Sequence, residues 1–277
     1  MRDRLSLVTF LMVLFVLSSP AVAQVYYPSG TGGVRSPDAQ KAAEASKSTL
    51  TYDAHDLSGI WRISGGLMGR TPAPPMTAWG QEQFAAQKRA DNSPYSNLNE
   101  GKRACDPPGY PRSLSGGYVE FVQAPGKILQ MFQSPNGLGF GLREIYMDGR
   151  KLPADLDPRW YGWAVGHWEG DALVVDSTGY DERAALNFNG QPHSEDMKLR
   201  EVYRHPDAMT LEVTMTIDDP KAYTKPWVGA AQKLTLELPK GLTVRYESFC
   251  VPSEIESYNE GVGDPEVRDS NARQLRR

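Results

Sequence analysis

The chain has 277 residues, a formal net charge of −4 at pH 7, four histidines and two cysteines. The mild acidity argues against nucleic acid as a partner, because phosphate binding needs a concentrated basic face. The length and the 40% hydrophobic content are sufficient for one domain with a substantial core.

The first residues have the organisation of a cleaved secretory signal. Arg2 and Arg4 precede an apolar run over residues 5–17, and residues 21–23 form a small-x-small end. The run is shorter than the ~20 residues that a membrane span needs. We therefore expect cleavage after Ala23, a periplasmic or secreted protein, and no membrane span afterwards. Loss of two arginines and one aspartate would change the net charge from −4 to −5. A retained N-terminal anchor is the alternative.

Composition divides the rest of the chain into three parts. Residues 24–55 are rich in Ser, Gly, Ala and Lys with little apolar periodicity, which predicts a disordered, mobile leader. Residues 251–277 are polar and charged and are predicted to form a tail. Residues 56–250 remain as a single predicted β-barrel domain.

Ten segments of this domain have the composition or the period of β-strands. In residues 209–217, for example, every second residue from Leu211 to Ile217 is apolar, as in a sheet with one buried face. Most segments follow one another through short turns, which predicts an all-β antiparallel meander that closes into a barrel. The ten predicted strands are Ile60–Ser64, Tyr118–Gln123, Lys127–Gln133, Leu142–Met147, Trp163–Trp168, Ala172–Ser177, Met197–Arg204, Met209–Ile217, Gln232–Leu238 and Leu242–Phe249.

A Pro-rich insertion over residues 65–116 separates the first two predicted strands. It contains a predicted short helix, about Ala78–Lys88, for which Thr77 is a suitable N-cap. An insertion of this length either covers one barrel end as a lid or wraps around the outside, and we favour the lid.

The two cysteines, Cys105 in the insertion and Cys250 after the last predicted strand, are an even number in an exported chain. An oxidising compartment favours one disulfide between them. Two buried free thiols are the alternative.

Gly59-Ile60-Trp61, at the start of the first predicted strand, resembles the Gly-x-Trp start of lipocalins and related calycin barrels. The resemblance implies a lipocalin-like barrel in which Trp61 closes one end. It also implies a basic residue of the final strand packed over Trp61, for which Arg245 is the matching candidate.

A second set of motifs covers nearly the whole predicted domain and resembles a family of exported, uncharacterised proteins of soil and marine bacteria. That resemblance implies no established activity. Ala164 stands where many relatives carry a small hydroxyl residue, which weakens any assignment of a catalytic hydroxyl there. The motifs are Pro75-Met76-Thr77, Trp79-Gly80-Gln81, Cys105-Asp106-Pro107, Asp148-Gly149-Arg150, Trp168-Glu169-Gly170-Asp171, Pro192-His193-Ser194, and Asp219-Pro220 with Tyr223 and Pro226-Trp227.

Aromatic and charged side chains between residues 143 and 227 are the candidate ligand-binding residues. Aromatic faces with a few polar groups are what small-molecule pockets are built from. The same aromatic residues could instead seal a barrel end by packing. The candidates are Arg143, Trp160, Trp163, Asp176, Tyr223 and Trp227.

His193, Glu201 and Asp196 are the candidate catalytic residues. An imidazole titrates near neutral pH, so His193 could act as a general base if Asp196 or Glu201 lay within hydrogen-bond reach. The direction of Glu201 depends on strand register. A two-residue turn at 206–207 would set Val202 opposite Leu211 and turn Glu201 outward. A three-residue loop would set Tyr203 opposite Leu211 and turn Glu201 inward.

Metal and cofactor motifs are not evident in the sequence. The four histidines form no His-x-His or His-x3-His pair, and there is no Gly-rich phosphate loop or nucleophile elbow. We therefore predict neither a metal nor a cofactor.

Two functions follow from these features. The first is an exported barrel that binds a small apolar or aromatic molecule. This hypothesis predicts an apolar interior, and an interior packed with side chains would contradict it. The alternative is a cofactor-independent acid–base enzyme, a lyase, isomerase or hydrolase, which needs His193 paired with a carboxylate at a pocket. A structural or interaction module is a third, weaker interpretation.

Overall fold

The computed structural model describes residues 37–86, 107–133, 140–187 and 189–239. Its two α-helices are α1 (Pro37–Ser48) and α2 (Ala78–Ala86). The strands of the described residues are β1 (Gly59–Ile63), β2 (Gly117–Ala124), β3 (Lys127–Gln133), β4 (Phe140–Tyr146), β5 (Trp163–Glu169), β6 (Ala172–Thr178), β7 (Lys198–Asp207), β8 (Thr210–Asp218), β9 (Trp227–Val228) and β10 (Gln232–Pro239).

These strands form a closed barrel, which confirms the all-β barrel prediction. Strands β1 to β8 follow one another around the barrel, and β10 closes it by pairing with both β1 and β8. The short β9 is an additional strand beside β8. Nine of the ten predicted strands are present in the described residues. The tenth, Leu242–Phe249, lies outside them, as do Arg245, both cysteines, the predicted signal and the predicted tail.

The prediction of a purely antiparallel meander is wrong at one place, because β4 and β5 are parallel. They pair through Ile145 with Ala164 and Tyr146 with Val165. The connection between them, residues 147–162, returns to the barrel end at which β4 begins. Strand β5 therefore starts at the same end as β4 and runs in the same direction.

The register of β7 and β8 decides the direction of Glu201. Tyr203 pairs with Val213 and Glu201 with Met215, and the pairing shifts between Arg204 and Asp207. Neither predicted register is correct in detail. Because side chains alternate between the two faces of a strand, the observed pairing turns Glu201 to the same face as the three-residue-loop alternative. Glu201 points into the barrel and is fully buried.

One barrel end, which we call the lid end, is where β1 ends and β2 begins. Both described parts of the Pro-rich insertion pack against this end, as a lid would. Pro75 accepts a hydrogen bond from the Thr224 amide at 3.0 Å, and Leu114 accepts one from Gln232 Nε2 at 2.7 Å. Helix α2 begins after Thr77, whose hydroxyl accepts the Gly80 amide hydrogen at 3.1 Å, as predicted for an N-cap.

The opposite end, the Trp61 end, is covered by a segment that we predicted to be disordered. Helix α1 and residues 49–58 lie within or beside the predicted leader. The Tyr52 hydroxyl donates to the His205 carbonyl at 2.5 Å, and buried Trp61 donates from Nε1 to the Leu57 carbonyl at 2.9 Å. Scattered apolar residues such as Leu50 and Leu57 provide the contacts that the low periodicity did not indicate.

Tyr161 covers the part of β4 that has no β5 neighbour. Its ring stacks on Phe132 with centroids 5.8 Å apart and an interplanar angle of 11°. A Cβ at Gly141 would overlap the Tyr161 ring. The barrel wall at this point therefore depends on a glycine that lets a tyrosine ring lie against the strand backbone.

We predict that Gly141→Ala lowers the free energy of unfolding by about 1–3 kcal/mol, because overpacking displaces a buried ring. Urea denaturation followed by circular dichroism measures the effect. Gly116→Ala is the matched control, since its Cβ would meet nothing within 4 Å and its φ of 168° is extended backbone. Equal stability of the two variants would contradict the packing of Tyr161 on β4.

Candidate functional site

The barrel interior contains a polar cluster centred on an ion pair. Arg143 on β4 and Glu201 on β7 are fully buried, and Arg143 Nη2 lies 2.5 Å from Glu201 Oε2. Arg143 also donates to Gln130 Oε1 and to Ser177 Oγ, each at 3.0 Å. Of the three guanidinium nitrogens of Arg143, Nε is the one that has no hydrogen-bond partner among the described residues. Arg143, a candidate ligand-binding residue of the sequence, is therefore the partner of Glu201 inside the barrel.

Two tyrosines complete the environment of the Glu201 carboxylate. The Tyr203 hydroxyl donates to Glu201 Oε1 at 2.6 Å, and the Tyr110 hydroxyl donates to the same oxygen. The guanidinium carbon of Arg143 lies 3.9 Å from the centroid of the Tyr110 ring. Tyr110 belongs to the Pro-rich insertion, so the lid contributes one side chain to the centre of the barrel.

The electrostatics of this cluster keep the phenols neutral and the guanidinium charged. Burial, followed by the negative charge of Glu201, raises the pKa of Tyr110 and of Tyr203 well above the ordinary value. Burial opposes the charge of Arg143, but the combined attraction of Glu201, Tyr110 and Tyr180 outweighs burial and raises the pKa of Arg143. Burial also raises the pKa of Tyr180, which hydrogen-bonds Ser177, to about 12. The neutral phenols therefore act as hydrogen-bond donors to the Glu201 carboxylate.

The expectation of an apolar, open interior is wrong. Large side chains fill the described part of the barrel at less than 2% exposure, which leaves no room for a water molecule beside them. They include Trp61, Tyr110, Phe121, Arg143, Tyr180 and Tyr203. The physical reason is that the inward positions of β3, β4, β6 and β7 carry polar groups that pair with one another.

His193 does not form the predicted pair with a carboxylate. It is 1% exposed, and its Nδ1 donates to the Ser194 carbonyl at 3.0 Å. Its Nε2 is buried without a hydrogen-bond partner among the described residues. Burial lowers the pKa of His193, so the ring is neutral near neutral pH. Asp196 is exposed and Glu201 belongs to the interior cluster, so the base–carboxylate pair that acid–base catalysis requires is not formed.

Ser194, rather than His193, makes the main polar contact of this loop. Its amide and hydroxyl donate to the two oxygens of buried Asp219, at 2.6 and 2.8 Å. The Tyr223 hydroxyl donates to the Pro192 carbonyl at 2.9 Å. The motifs around residues 192–194 and 219–223 therefore hold each other in place, which explains their residue types structurally.

The remaining predicted residues do not converge on one pocket. Asp176 faces outward near Arg200, with Nη1 3.4 Å from Oδ1. Trp163 lies under Arg159, whose guanidinium carbon is 3.4 Å from a ring centroid. Trp160 lies under Arg183 at 4.7 Å, and Tyr223 is buried in the core.

Trp227 lines a cavity of about 370 Å³ at the lid end, which we call the mouth cavity. The insertion forms one wall, and Asn187, Asn189 and Gln191 form the other. The described residues that line it are one arginine, one tryptophan and small, apolar or neutral polar residues. They are Gly66, Leu67, Arg70, Thr71, Pro72, Ala73, Ser115, Asn187, Asn189, Gln191 and Trp227.

A second cavity, of about 400 Å³, lies at the Trp61 end and has the opposite electrostatic character. Its lining includes two acidic residues, Asp53 and Asp56, beside Trp61, His205 and Leu236. His205 Nδ1 lies 3.1 Å from the Asp53 carbonyl, which ties the leader to this end of the barrel.

No protein-family model matches the chain, and a search of curated proteins finds no match either. The resemblances to calycin barrels and to uncharacterised exported proteins therefore stay predictions. Within the described ranges, no helix is long and apolar enough to cross a membrane.

The sequence interpretation missed five members of the interior cluster, which are Tyr110, Gln130, Ser177, Tyr180 and Tyr203. Gln130 could have been found, because it lies between Ile128 and Phe132 on the inward face of β3, where an unpaired amide would be costly. Tyr110 could not have been found from the sequence, because only the folding of the insertion brings its hydroxyl to Glu201.

We predict that Glu201→Gln lowers the free energy of unfolding by roughly 3–5 kcal/mol, because it leaves the buried Arg143 charge unpaired. Adding Arg143→Met should restore part of this loss, since the unpaired charge is then removed. Chemical denaturation of both variants measures the coupling.

Glu169→Gln is the control, because Glu169 is an exposed partner of His167 and should change stability by about 1 kcal/mol at most. A loss at Glu201 no larger than that of the control would show that the interior pair is not a main determinant of stability.

Proposed function

We propose that this chain is an exported β-barrel that binds a small aromatic molecule in the mouth cavity, and not in the barrel interior that was expected from the sequence. The observation that carries the proposal is a concave site at one barrel end whose lining includes the exposed edge of Trp227, a side chain that is otherwise buried. The volume of about 370 Å³ falls within the ~300–1,000 Å³ of small-molecule sites. Ligands of this size bind where apolar rings are combined with a few polar groups.

The mouth cavity is a better site than the barrel interior because the interior is occupied by the side chains of the ion-pair cluster. Displacing these side chains would leave the buried Arg143 and Glu201 without their hydrogen-bond partners. The mouth cavity requires no such rearrangement.

Trp227 is held rigidly, which favours binding. Its Nε1 donates to the Thr71 carbonyl at 3.2 Å, and its ring packs at 6.1 Å from the ring of Tyr223. A side chain that is already ordered loses little conformational entropy when a ligand contacts it. Thr71 belongs to the lid, so the same bond connects the two walls of the cavity.

The setting of this activity follows from the N-terminal segment. The basic start and short apolar run over residues 1–23 support export to the periplasm or the medium. The acid–base alternative is not favoured, because His193 has a backbone carbonyl and not a carboxylate as its Nδ1 partner.

Binding of benzyl alcohol and of cyclohexylmethanol to the mature protein, measured by equilibrium dialysis, tests the proposal. We expect benzyl alcohol to bind saturably and more tightly than the saturated analogue, because an aromatic ring can make an edge contact with the part of Trp227 that lines the cavity. Ala73→Leu fills the cavity from the lid side and should weaken binding about tenfold or more, through lost space.

Trp168→Leu is the matched control, since Trp168 stacks on His55 with centroids 4.3 Å apart and does not line the cavity. Benzyl alcohol binding that Ala73→Leu leaves unchanged, or that Trp168→Leu abolishes, would contradict the mouth cavity as the site.

A further inference from the structure

We infer that the ligand of the mouth cavity is an aromatic carboxylate, whose anionic group is bound by Arg70. The inference rests on the proposed function and adds the charge of the ligand to it. Arg70 was not among the candidate residues of the sequence, because nothing in its local pattern distinguishes it from a solvated surface arginine.

Arg70 is an exposed cation that has no counter-ion among the described residues. It makes no hydrogen bond or ion pair with any residue that the structure describes, although it lines the cavity. Other arginines of the lid-end loops differ: Arg183, for example, is paired with Asp181 at 2.5 Å. An arginine that lines a pocket and lacks a partner is suited to bind an anionic ligand.

The backbone that carries Arg70 is fixed in an unusual conformation. Met68, Gly69 and Arg70 all have positive φ, at 57°, 57° and 60°, a region that side chains other than Asn, Asp and Gly rarely adopt. Fully buried Met68 anchors this turn in the core. The arginine side chain folds over Gly66, where an added Cβ would lie 3.1 Å from Arg70 Cγ. Such strain persists only where surrounding contacts impose it, and it concentrates at ligand-binding sites.

The rest of the lining is also suited to an anion. No acidic residue is among the described residues that line the cavity. The buried Ser115 hydroxyl has no hydrogen-bond partner in the described part of the chain. Gln191 accepts from Asn187 through Oε1, so its amino group remains as a donor on the loop wall. The lining therefore carries a guanidinium, a hydroxyl and an amide that can donate hydrogen bonds to an anion.

The cavity at the Trp61 end provides an internal comparison. It is similar in volume and also contains a tryptophan, but its lining includes Asp53 and Asp56. Like charges would repel a carboxylate there. An anionic ligand should therefore distinguish between the two ends of the barrel, whereas an uncharged ring would not.

Calorimetric titration of the mature protein with benzoate and with benzamide tests the inference, because the two probes have the same shape and differ in charge. We expect the affinity for benzoate to be at least about tenfold higher than that for benzamide. The reason is that a hydrogen bond between two charged groups is stronger than one to a neutral amide. Arg70→Asn should remove this preference, because the benzoate affinity falls towards that of benzamide. Asn tolerates positive φ, so the turn is retained.

Arg70→Lys should keep part of the preference, since the charge remains but the planar fork is lost. Arg62→Asn is the control, because it removes an exposed arginine of β1 that lies near Glu237 and outside the cavity. Benzamide binding as tight as benzoate would overturn the inference and leave the proposed function intact. Binding of neither probe would overturn both. Equal benzoate affinity of Arg70→Asn and wild type would exclude Arg70 as the anion-binding residue.

Discussion

The buried pair of Arg143 and Glu201 is the interaction on which the described barrel depends. Transferring two charges from water to an apolar interior costs several kcal/mol for each ion, and the mutual attraction offsets this only when the remaining polar atoms are also bonded. Gln130, Ser177 and two tyrosine hydroxyls supply those bonds. These partners come from β3, β6, β7 and the lid, so the pair fixes the relative positions of elements far apart in sequence.

This constraint also determines where ligands can bind. A barrel with an apolar interior could hold a ligand along its axis, but one filled by a bonded ion pair cannot, since displacing any member would leave a buried charge without its partners. Two cavities of the described part of the chain lie at the two ends of the barrel. The cavity at the lid end is bounded by Arg70 and Trp227, and the one at the Trp61 end by Asp53 and Asp56.

The strands were predictable from sequence because their alternating apolar residues reflect a sheet with one buried face. The sequence did not predict details that depend on a one-residue difference in strand register or on contacts between distant segments. The inward direction of Glu201 is set by the irregular pairing after Arg204, and the parallel pairing of β4 and β5 by the path of their connection. His193 was a candidate general base in the sequence, yet contacts between Ser194 and Asp219 hold its loop in the protein, where the ring is buried.

The most direct test of a filled interior with binding at the mouth is an NMR titration of isotope-labelled mature protein with the ring compound that binds most tightly. Binding at the mouth predicts shifts of the Trp227 indole and of the Asn189 and Gln191 side-chain amides. The Arg143 Nε–H and Gln130 amide signals should stay in place. Shifts of Arg143 and Gln130 without shifts of Trp227 would show that the ligand enters the barrel, and would contradict an interior closed by the ion pair.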